Sequence, residues 1–413
     1  MPPITIFQDK HIILAVTGSI ACYKAVDLAS KLTQAGAFVD VILTEAAQKF
    51  VTPLTFQAVT GRHVYTDLWQ TEGGDSLPTH IAHVGLAEEA DLFAVIPATA
   101  NTIAKLAHGF ADDLITITAL AASIPMLIAP AMDGNMYAHT AVQANLDILR
   151  DRGAIIIPPE EGRFASGLVG QGRLPETPTL MGCMRAALGL DGPLSGCKVV
   201  ISAGGTREPL DPVRFISNHS SGKQGFALAQ AAVDAGANDV VLVSTVTDLP
   251  LPVGVELVPV TTAEDMLHAI MMHSTDADLL IMAAAVADFR PVTVASQKIK
   301  KNEDIGQSLR LELTRNPDIL LQVKAQREQS GFPRLVVGFA AESENLLENA
   351  RNKLDRKGLD LLVANDILSE DAGFGTDTNR VVILDAEGEE ETIELASKAI
   401  VSEIIVARAA ELL

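Results

Sequence analysis

The sequence predicts an α/β protein with two doubly wound domains, each built on a mostly parallel β-sheet. Short apolar runs alternate with helical patterns along the whole chain, which is typical of strands buried between two helical layers. The same strand–turn–helix–strand layout also appears twice, beginning at Ile12 and at Val199. Two copies of this layout predict two separate domains.

In the first half, the apolar run at 12–16 is followed by a Thr17-Gly18-Ser19 turn, a helical pattern to Gln34 and a strand at 39–43. Further strands are predicted at 92–96, 126–129 and 154–157. Because the carboxyl ends of such strands share one edge of the sheet, we expect the ligand of this domain to bind at that edge.

The second half repeats the layout, and a turn-rich segment at 188–196 separates the two halves. We therefore place the boundary near residue 190, which gives domains 1–190 and 191–413. Its predicted elements are strands at 199–202, 240–243, 279–282, 335–339, 359–363 and 381–384, with a helix at about 221–234.

The charge of the chain restricts its partners. Its 413 residues carry 31 Lys and Arg against 52 Asp and Glu, a net charge of −21, which argues against nucleic-acid and membrane partners. No apolar run reaches the roughly 18 residues of a membrane helix, and three cysteines are too few for a disulfide framework. We expect a cytoplasmic protein that holds anions by local geometry.

Small residues follow the strands of the first half. The turn Thr17-Gly18-Ser19-Ile20 joins a strand to a helix, where backbone N–H groups can meet a bound anion. It lacks the dinucleotide fingerprint G-x-G-x-x-G, and alone it is equally typical of a plain connection. Two similar segments, 97–101 and 130–132, follow other strands. Together the three predict a site for a flat ligand.

Two further features of the first half are candidates for chemistry. His83 lies in a predicted helix at 80–89 and is a candidate base, although a surface histidine is the alternative. No further Cys or His follows at the spacing of a metal site. The segment 160–175 is rich in Gly and polar residues and predicts a mobile flap.

The second half contains a long strand-to-helix connection, 201–225, that is crowded with hydrogen-bond donors. Gly222-Lys223 lacks the rest of a Walker A loop, so we predict a different phosphate cradle. Two basic clusters, 298–301 and 351–357, are what a triphosphate with Mg²⁺ requires, with solvated lysines as the alternative.

Short motifs occur along the chain in one order. Those of the first half are TGSIACYKA, LTEAA, HVGLAEEADL, PATANTIAKLAHGFADDL, PAM and GQGR. Those of the second half are DPVRFISNHSSGKQG, AAVADFRP, KIKK, NPDIL, VGFAAE and VANDI. In this order they resemble the bacterial bifunctional coenzyme A biosynthesis proteins, in which a phosphopantothenoylcysteine decarboxylase is fused to a phosphopantothenate–cysteine ligase. The resemblance covers essentially the whole chain and implies two Rossmann-like domains, the first a flavodoxin-like flavoprotein domain.

For residues 191–413 the resemblance implies a CTP-dependent ligase that joins 4′-phosphopantothenate to L-cysteine through an acyl cytidylate, with Mg²⁺ balancing the phosphates. Asn218 and Arg214 would bind and orient that intermediate, since an amide and a guanidinium can stabilise a developing oxyanion. Asp288 and Phe339 would hold the cytosine. The implied nucleotide-binding residues are Met282, Ala283, Ala284, Asp288, Lys298, Pro317, Asp318, Ile319, Leu320, Phe339, Lys353 and Lys357.

For residues 1–190 the resemblance implies an FMN-dependent decarboxylase that oxidises the substrate thiol, releases CO₂ and forms 4′-phosphopantetheine. His83 matches the active-site histidine of the family. The implied FMN-binding residues are Gly18, Ser19, Ile20, Thr44, Pro97, Ala98, Thr99, Ala100 and Asn101.

The first half departs from the family pattern at two positions. The flap usually presents Ala-Cys-Gly, whose thiol donates a proton, but here Ser166 replaces the Cys. Asp133 likewise replaces the Asn of the usual Pro-Ala-Met-Asn. In the family, loss of CO₂ leaves an enethiol that must be protonated. A Ser hydroxyl is a far weaker acid than a thiol, whose ordinary pKa is about 8.5, so this protonation should slow. Ser166 and Asp133 are thus candidate catalytic residues of a variant site.

Three hypotheses follow for the whole chain. We favour a working bifunctional enzyme. The alternative is an active ligase whose flavin domain is only a scaffold or stops at the enethiol, and a third is a flavin-binding regulatory protein. The resemblance also implies trimers of the flavin domain and dimers of the ligase domain, which together would form a dodecamer.

Overall fold

Two compact units, Met1–Leu188 and Gly189–Leu413, make up the chain. The computed structural model describes residues 5–68, 82–163, 167, 169–300, 309–342, 346–366 and 375–413. Each unit has its own sheet, and the predicted α/β class is confirmed. Within the described residues, every helix is too short or too polar to cross a lipid bilayer.

The first unit contains a parallel sheet and a separate hairpin. Its strands are β1 (His11–Val16), β2 (Phe38–Leu43), β3 (Val64–Tyr65), β4 (Leu92–Ala98), β5 (Met126–Pro130), β6 (Ile155–Ile156), β7 (Glu160–Arg163) and β8 (Val169–Arg173). The sheet has the order β3-β2-β1-β4-β5-β6, and β7 pairs antiparallel with β8. The chain changes direction across the sheet between β1 and β4, so a crevice opens at the carboxyl ends of these two strands.

Helices cover both faces of this sheet. They are α1 (Cys22–Gln34), α2 (Pro53–Thr60), α3 (Ala82–Glu89), α4 (Ala100–His108), α5 (Leu114–Ala121), α6 (Gly134–Tyr137), α7 (Thr140–Asp151) and α8 (Thr177–Gly189), with short 3₁₀ turns at Thr5–Phe7 and Ala47–Lys49. Alternate residues of β1 point to opposite faces: Leu14 packs in the core with α1 and α8, and Ile13 packs in the core with α4, α5 and α7. Burial on both faces explains why β1 is continuously apolar.

The second unit contains an eight-stranded sheet and two short ribbons. Its strands are β9 (Lys198–Ala203), β10 (Arg207–Pro209), β11 (Phe215–Ser217), β12 (Asp239–Ser244), β13 (Val255–Pro259), β14 (Leu279–Met282), β15 (Phe289–Pro291), β16 (Leu313–Arg315), β17 (Leu335–Glu342), β18 (Leu361–Asp366), β19 (Thr378–Asp385) and β20 (Glu390–Ser397). The sheet has the order β13-β12-β9-β14-β17-β18-β19-β20, while β10 pairs with β11 and β15 with β16. Its switch point lies between β9 and β14.

The helices of the second unit are α9 (Lys223–Asp234), α10 (Ala263–His273), α11 (Ile319–Ser330), α12 (Leu346–Lys357) and α13 (Lys398–Glu411). Residues of α10, α11 and α12 share one core with the sheet, and α9 packs against α13. The sheet is parallel from β13 to β18, and β19 and β20 run antiparallel at its edge.

The antiparallel pairing of this edge and its last strand, β20, were not predicted from the sequence, although the strand predicted at 381–384 lies within β19. The β20 segment reads EETIELAS, and only Ile393 among its residues is fully buried, so its apolar signal is weak. β20 lies at the edge of the sheet and most of its side chains stay exposed to water, so it does not need a continuous apolar run.

Candidate functional site

Three strand ends meet at the crevice of the first unit. Thr17, at the end of β1, donates its hydroxyl to the carbonyl of Pro97 at 2.7 Å and accepts the N–H of Thr99 at 2.9 Å. Thr44, after β2, donates its N–H to the carbonyl of Val16 at 3.1 Å. The predicted flavin-binding segments around residues 18, 44 and 97–101 are therefore joined by direct hydrogen bonds.

A cavity of about 580 Å³ opens beside these strand ends. It brings together three predicted residues, Ser19, Ile20 and Asp133. Gly18, Thr44, the 97–101 segment and His83 do not line this cavity. The cavity also contains residues that were not singled out from the sequence: Tyr23, Lys24, Arg163 and Arg173.

Lys24, a residue of α1 that lines this cavity, links α1 to the base of the β7–β8 hairpin. Its side chain is only 8% exposed, and its ammonium donates to the Leu174 carbonyl and to Glu176, both at 2.8 Å. A lysine in the buried stripe of a helix is a signal for such a role, because an unpaired buried charge is costly. The nearby Met132 N–H donates to Gly172 of β8 at 3.0 Å, which fixes the turn carrying Asp133 against the same hairpin.

The predicted catalytic residues of the first unit do not form one cluster within the described residues. Asp133 caps the short helix α6 by accepting the N–H of Asn135 at 3.1 Å. His83 is half-buried on α3. Ser166 lies outside the described residues.

In the second unit, hydrogen bonds join the segments at the ends of β9 and β14. Ala284 donates its N–H to the Ser202 hydroxyl at 3.1 Å, and Ala285 donates to the carbonyl of Gly204 at 2.8 Å. Ala287 donates to the hydroxyl of Thr206, which is fully buried, at 2.9 Å. These contacts hold the two strand ends as one rigid wall at the switch point.

Two cavities adjoin this wall. The first, about 550 Å³, lies at the N-terminus of α9 and is called here the α9 cavity. The second, about 780 Å³, lies at the N-terminus of α11 and is called the α11 cavity. The residues that line both are Ala284, Val286, Asp288, Phe339 and Lys353. Because these residues are shared, the two cavities form one cleft.

The α9 cavity suits a phosphorylated ligand. Gly222, with φ of 77°, turns the chain into α9, whose first N–H groups lack helical partners. The side chains of Lys223 and Lys398 also line the cavity. Asn365 adds a buried Oδ1 atom with no hydrogen-bond partner within the described part of the chain. Such an atom requires a donor from a ligand or from water.

Lys398 was not predicted, because its position depends on the fold and not on nearby sequence. It begins α13, is 7% exposed and donates to the carbonyl of Thr376. Burial lowers its pKa, and the neighbouring Lys223 lowers it further. A bound anion would relieve both effects.

The α11 cavity collects most of the predicted nucleotide-binding residues. Those that line it are Met282, Ala284, Asp288, Pro317, Asp318, Ile319, Leu320, Phe339, Lys353 and Lys357. Ala283 lines the α9 cavity instead, and Lys298 is exposed and lines neither. Lys353 donates to the Phe339 carbonyl at 2.9 Å, and burial lowers the pKa of Lys357 while Asp288 opposes that shift.

The two predicted acyl-binding residues lie in different places. Asn218 lines the α9 cavity and donates its amide to the Val286 carbonyl at 3.2 Å. Arg214 lies outside both cavities, on the β10–β11 turn, where it pairs with Asp211 at 2.9 Å and donates to the carbonyl of Ile299. Within the described residues, no group of three or more His, Cys, Asp or Glu is arranged to hold a metal ion.

Comparison with known proteins gives matches over both units. A family model described as "Flavoprotein" matches residues 6–189, and one described as "DNA/pantothenate metabolism flavoprotein C-terminal domain" matches residues 194–413. The coenzyme A biosynthesis bifunctional protein CoaBC of Bacillus subtilis (strain 168) is 46% identical over 398 residues, covering 96% of this chain and 95% of its own length. CoaBC of Mycobacterium tuberculosis (strain ATCC 25618 / H37Rv) is 42% identical over 407 residues, with coverages of 96% and 95%.

Among solved structures, the crystal structure of the C-terminal domain of a coenzyme A biosynthesis bifunctional protein CoaBC is similar to part of the chain. It is 36% identical, with a TM-score of 0.45, and the match covers 54% of this chain and 98% of that one.

Proposed function

Because this chain belongs to the family of coenzyme A biosynthesis bifunctional proteins, CoaBC, we propose that it makes 4′-phosphopantetheine from 4′-phosphopantothenate and L-cysteine. Family membership makes it an enzyme of coenzyme A biosynthesis with decarboxylase and ligase activities. The proposal adds CTP with Mg²⁺ as co-substrate and FMN as cofactor. It assigns decarboxylation to residues 1–190 and ligation to residues 191–413.

The continuous cleft of the second unit carries the ligase proposal. In it, the nucleotide occupies the α11 cavity, and phosphopantothenate places its phosphate at the N-terminus of α9. Its carboxylate then reaches the shared wall, where an oxygen attacks the α-phosphorus of CTP and pyrophosphate leaves. The amine of cysteine attacks the acyl carbon next, and CMP leaves as the amide forms. The Asn218 amide, on the α9 side of the cleft, is placed to stabilise the oxyanion of that second step.

In this proposal Arg214 helps to bind the acyl cytidylate. It lies on the β10–β11 turn, which Asp211 holds in place. Asp211 is 3% exposed and accepts N–H groups from Val213 and Arg214 at 2.8 and 2.9 Å and from Ile299 at 3.1 Å. Burial raises the pKa of Asp211, but these N–H donors and the Arg214 guanidinium outweigh it and leave the pKa below its ordinary value of 3.8.

Replacing Asp211 with Asn should therefore lower ligase kcat/KM about tenfold, because an amide NH₂ would face the Ile299 N–H and the Arg214 guanidinium. Because the pKa of Asp211 is lowered, the stabilising contribution of its carboxylate is fully present above pH 3.8. It is lost only as the pH falls through the lowered pKa. Rate profiles from pH 6 to 9 should thus be parallel for D211N and the wild type. D276N, which removes a surface ion pair with Lys198, is the control. Full activity of D211N, or a ratio that changes across this range, would contradict the role.

The residues of the first unit fit a bound flavin. Small residues form the turns that follow the strands, and exposed Ile20 and Tyr23 give the adjoining cavity an apolar wall. FMN, when bound, supplies a two-electron oxidation of the substrate thiol and returns the electrons after CO₂ has left. Arg163 and Arg173 also line the cavity and supply positive charge for a phosphorylated substrate, whereas Lys24 is already paired with Glu176.

Supplying phosphopantothenoylcysteine directly tests the flavin domain alone. We expect the purified protein to release CO₂ and form 4′-phosphopantetheine, measured by mass spectrometry. Enethiol accumulating in its place would favour the alternative in which Ser166 is too weak an acid, and S166C should then restore the saturated product. If neither the wild type nor S166C releases CO₂, the flavin domain is only a scaffold.

The ribbons of the second unit support the proposal that the ligase domain dimerises. Their exposed apolar side chains are Val213, Phe215, Phe289, Val292, Val294, Leu309, Leu311 and Leu313. So many exposed apolar residues around two ribbons are typical of an interface, and a second copy would cover them. Flavin-domain trimers would complete the proposed dodecamer. A light-scattering mass of 43.7 kDa, that of one chain, would contradict self-association.

The three cysteines are free, which supports a cytoplasmic location.

A further inference from the structure

One carboxylate at the start of α11 pairs with a cation of the α11 cavity. Asp318 is the N-cap of α11, and its Oδ1 accepts the N–H of Leu321 at 3.3 Å. Its second oxygen, Oδ2, pairs with the ammonium of Lys357. The side chain of Lys357 is only 7% exposed, whereas that of Asp318 is 42% exposed. Lys357 is thus held by Asp318 on the open side of the cavity.

This pairing places a negative charge where a triphosphate must bind. Among the described side chains that line the cavity, the cations are Arg315, Lys353, Arg356 and Lys357, and the carboxylates are Asp288 and Asp318. A phosphate that bonds to Lys357 competes with Asp318 for its ammonium group. The displaced carboxylate, still fixed by its cap to α11, then lies beside the phosphate oxygens and repels them.

A metal ion on the triphosphate changes this balance. Mg²⁺ is bound by phosphate oxygens together with one or two carboxylates or water molecules. When Lys357 passes to the phosphate, Asp318 can turn its free oxygen toward the metal ion or toward a water of its shell. The same carboxylate that opposes metal-free nucleotide therefore attracts the metal-bound form.

We propose that Asp318 is a specificity-determining residue that makes the ligase site select metal-bound CTP over metal-free CTP, by exchanging its partner from Lys357 to the nucleotide's Mg²⁺. Mg²⁺ enters here as part of the nucleotide substrate. The inference rests on the proposed function, because it takes the α11 cavity as the nucleotide site.

Calorimetric titration of the full chain with CTP, in EDTA and in excess Mg²⁺, tests this without relying on turnover. For the wild type we expect Mg²⁺ to tighten CTP binding at least tenfold. D318N should bind metal-free CTP about tenfold more tightly than the wild type, so that Mg²⁺ changes its affinity less than threefold. Asn is as good an N-cap as Asp, so α11 should be retained.

D113N is the matched control. Asp113 is also an N-cap, of α5, and it also pairs with a lysine, Lys105, at 2.9 Å, but it lies in the first unit. D113N should reproduce the wild-type Mg²⁺ effect. D318S keeps a capping hydroxyl and should behave as D318N does. Agreement between the two variants excludes an effect of the amide group that D318N introduces.

Two results overturn the inference in different ways. If D318N and D318S weaken binding of both forms equally, or leave the Mg²⁺ effect at its wild-type size, Asp318 is only a helix cap. If the wild type binds CTP in neither condition, the proposed nucleotide site itself is wrong.

Discussion

Replacing Asn218 with Ala is expected to lower the kcat of ligation by about 100- to 1,000-fold, the cost of removing one oxyanion donor. The amide of Asn218 reaches into the α9 cavity from the strand-to-helix connection, next to the wall that both cavities share. Its contact becomes strongest as the acyl carbonyl acquires charge, so the loss should fall on kcat more than on KM. Release of CMP from CTP, phosphopantothenate and cysteine gives the rate.

The same variant has internal controls. Decarboxylation of added phosphopantothenoylcysteine should be unchanged in N218A, since that reaction is assigned to the other unit. N352A removes an exposed amide from α12 and should leave ligation at its wild-type rate. If N218A raised KM and kept kcat, Asn218 would bind substrate without stabilising the transition state.

Replacing Gly18 with Ala is expected to reduce flavin binding by at least about tenfold, which is about 1.4 kcal/mol of binding free energy. A Cβ atom at residue 18 would lie 2.4 Å from the Cβ of Ala46, so the turn after β1 and the segment after β2 could not keep their approach. Both segments carry predicted flavin-binding residues, Ser19 and Thr44. Absorbance of bound flavin per chain, after titration with FMN, measures the effect.

The clash also suggests a rescue. In the double variant G18A/A46G, the opposing Cβ is removed, and flavin binding should recover in part, because the Ala46 backbone still lies about 3.0 Å from the new atom. Ligation should be unaffected in both variants. Equal flavin content in G18A and the wild type would show that this close approach does not shape the flavin site.

Much of the fold could be predicted because parallel strands buried on both faces produce continuous apolar runs. The strand predicted at 279–282 is β14 itself, and the one at 199–202 differs from β9 by one residue at each end. The signal failed for β20, which is exposed and charged, and for β13, where only Val255 is fully buried. Strands with several exposed positions lack the continuous apolar run that marks a strand buried on both faces.

The site could be predicted where its residues belong to motifs beside strand ends, since topology brings those ends together. Asp288, which directly precedes β15, follows this rule, whereas Phe339 within β17 and Lys353 within α12 were named only through the resemblance; all three line both cavities of the cleft. Lys398 could not be found in this way, because only the packing of α13 on α9 brings it to a connection more than 170 residues away. Arg214 was assigned to the acyl group, yet in this chain it lies outside both cavities. In the proposed dimer, the second copy of the ligase domain is where Arg214 would find the acyl group.

One reaction mixture tests the central claim, that this single chain performs both steps. Purified protein is incubated with 4′-phosphopantothenate, L-cysteine, CTP and Mg²⁺, and the products are followed by mass spectrometry. We expect 4′-phosphopantetheine, with one CMP, one pyrophosphate and one CO₂ formed for each molecule. Phosphopantothenoylcysteine that accumulates without any phosphopantetheine, or phosphopantothenate that is never consumed, would contradict it.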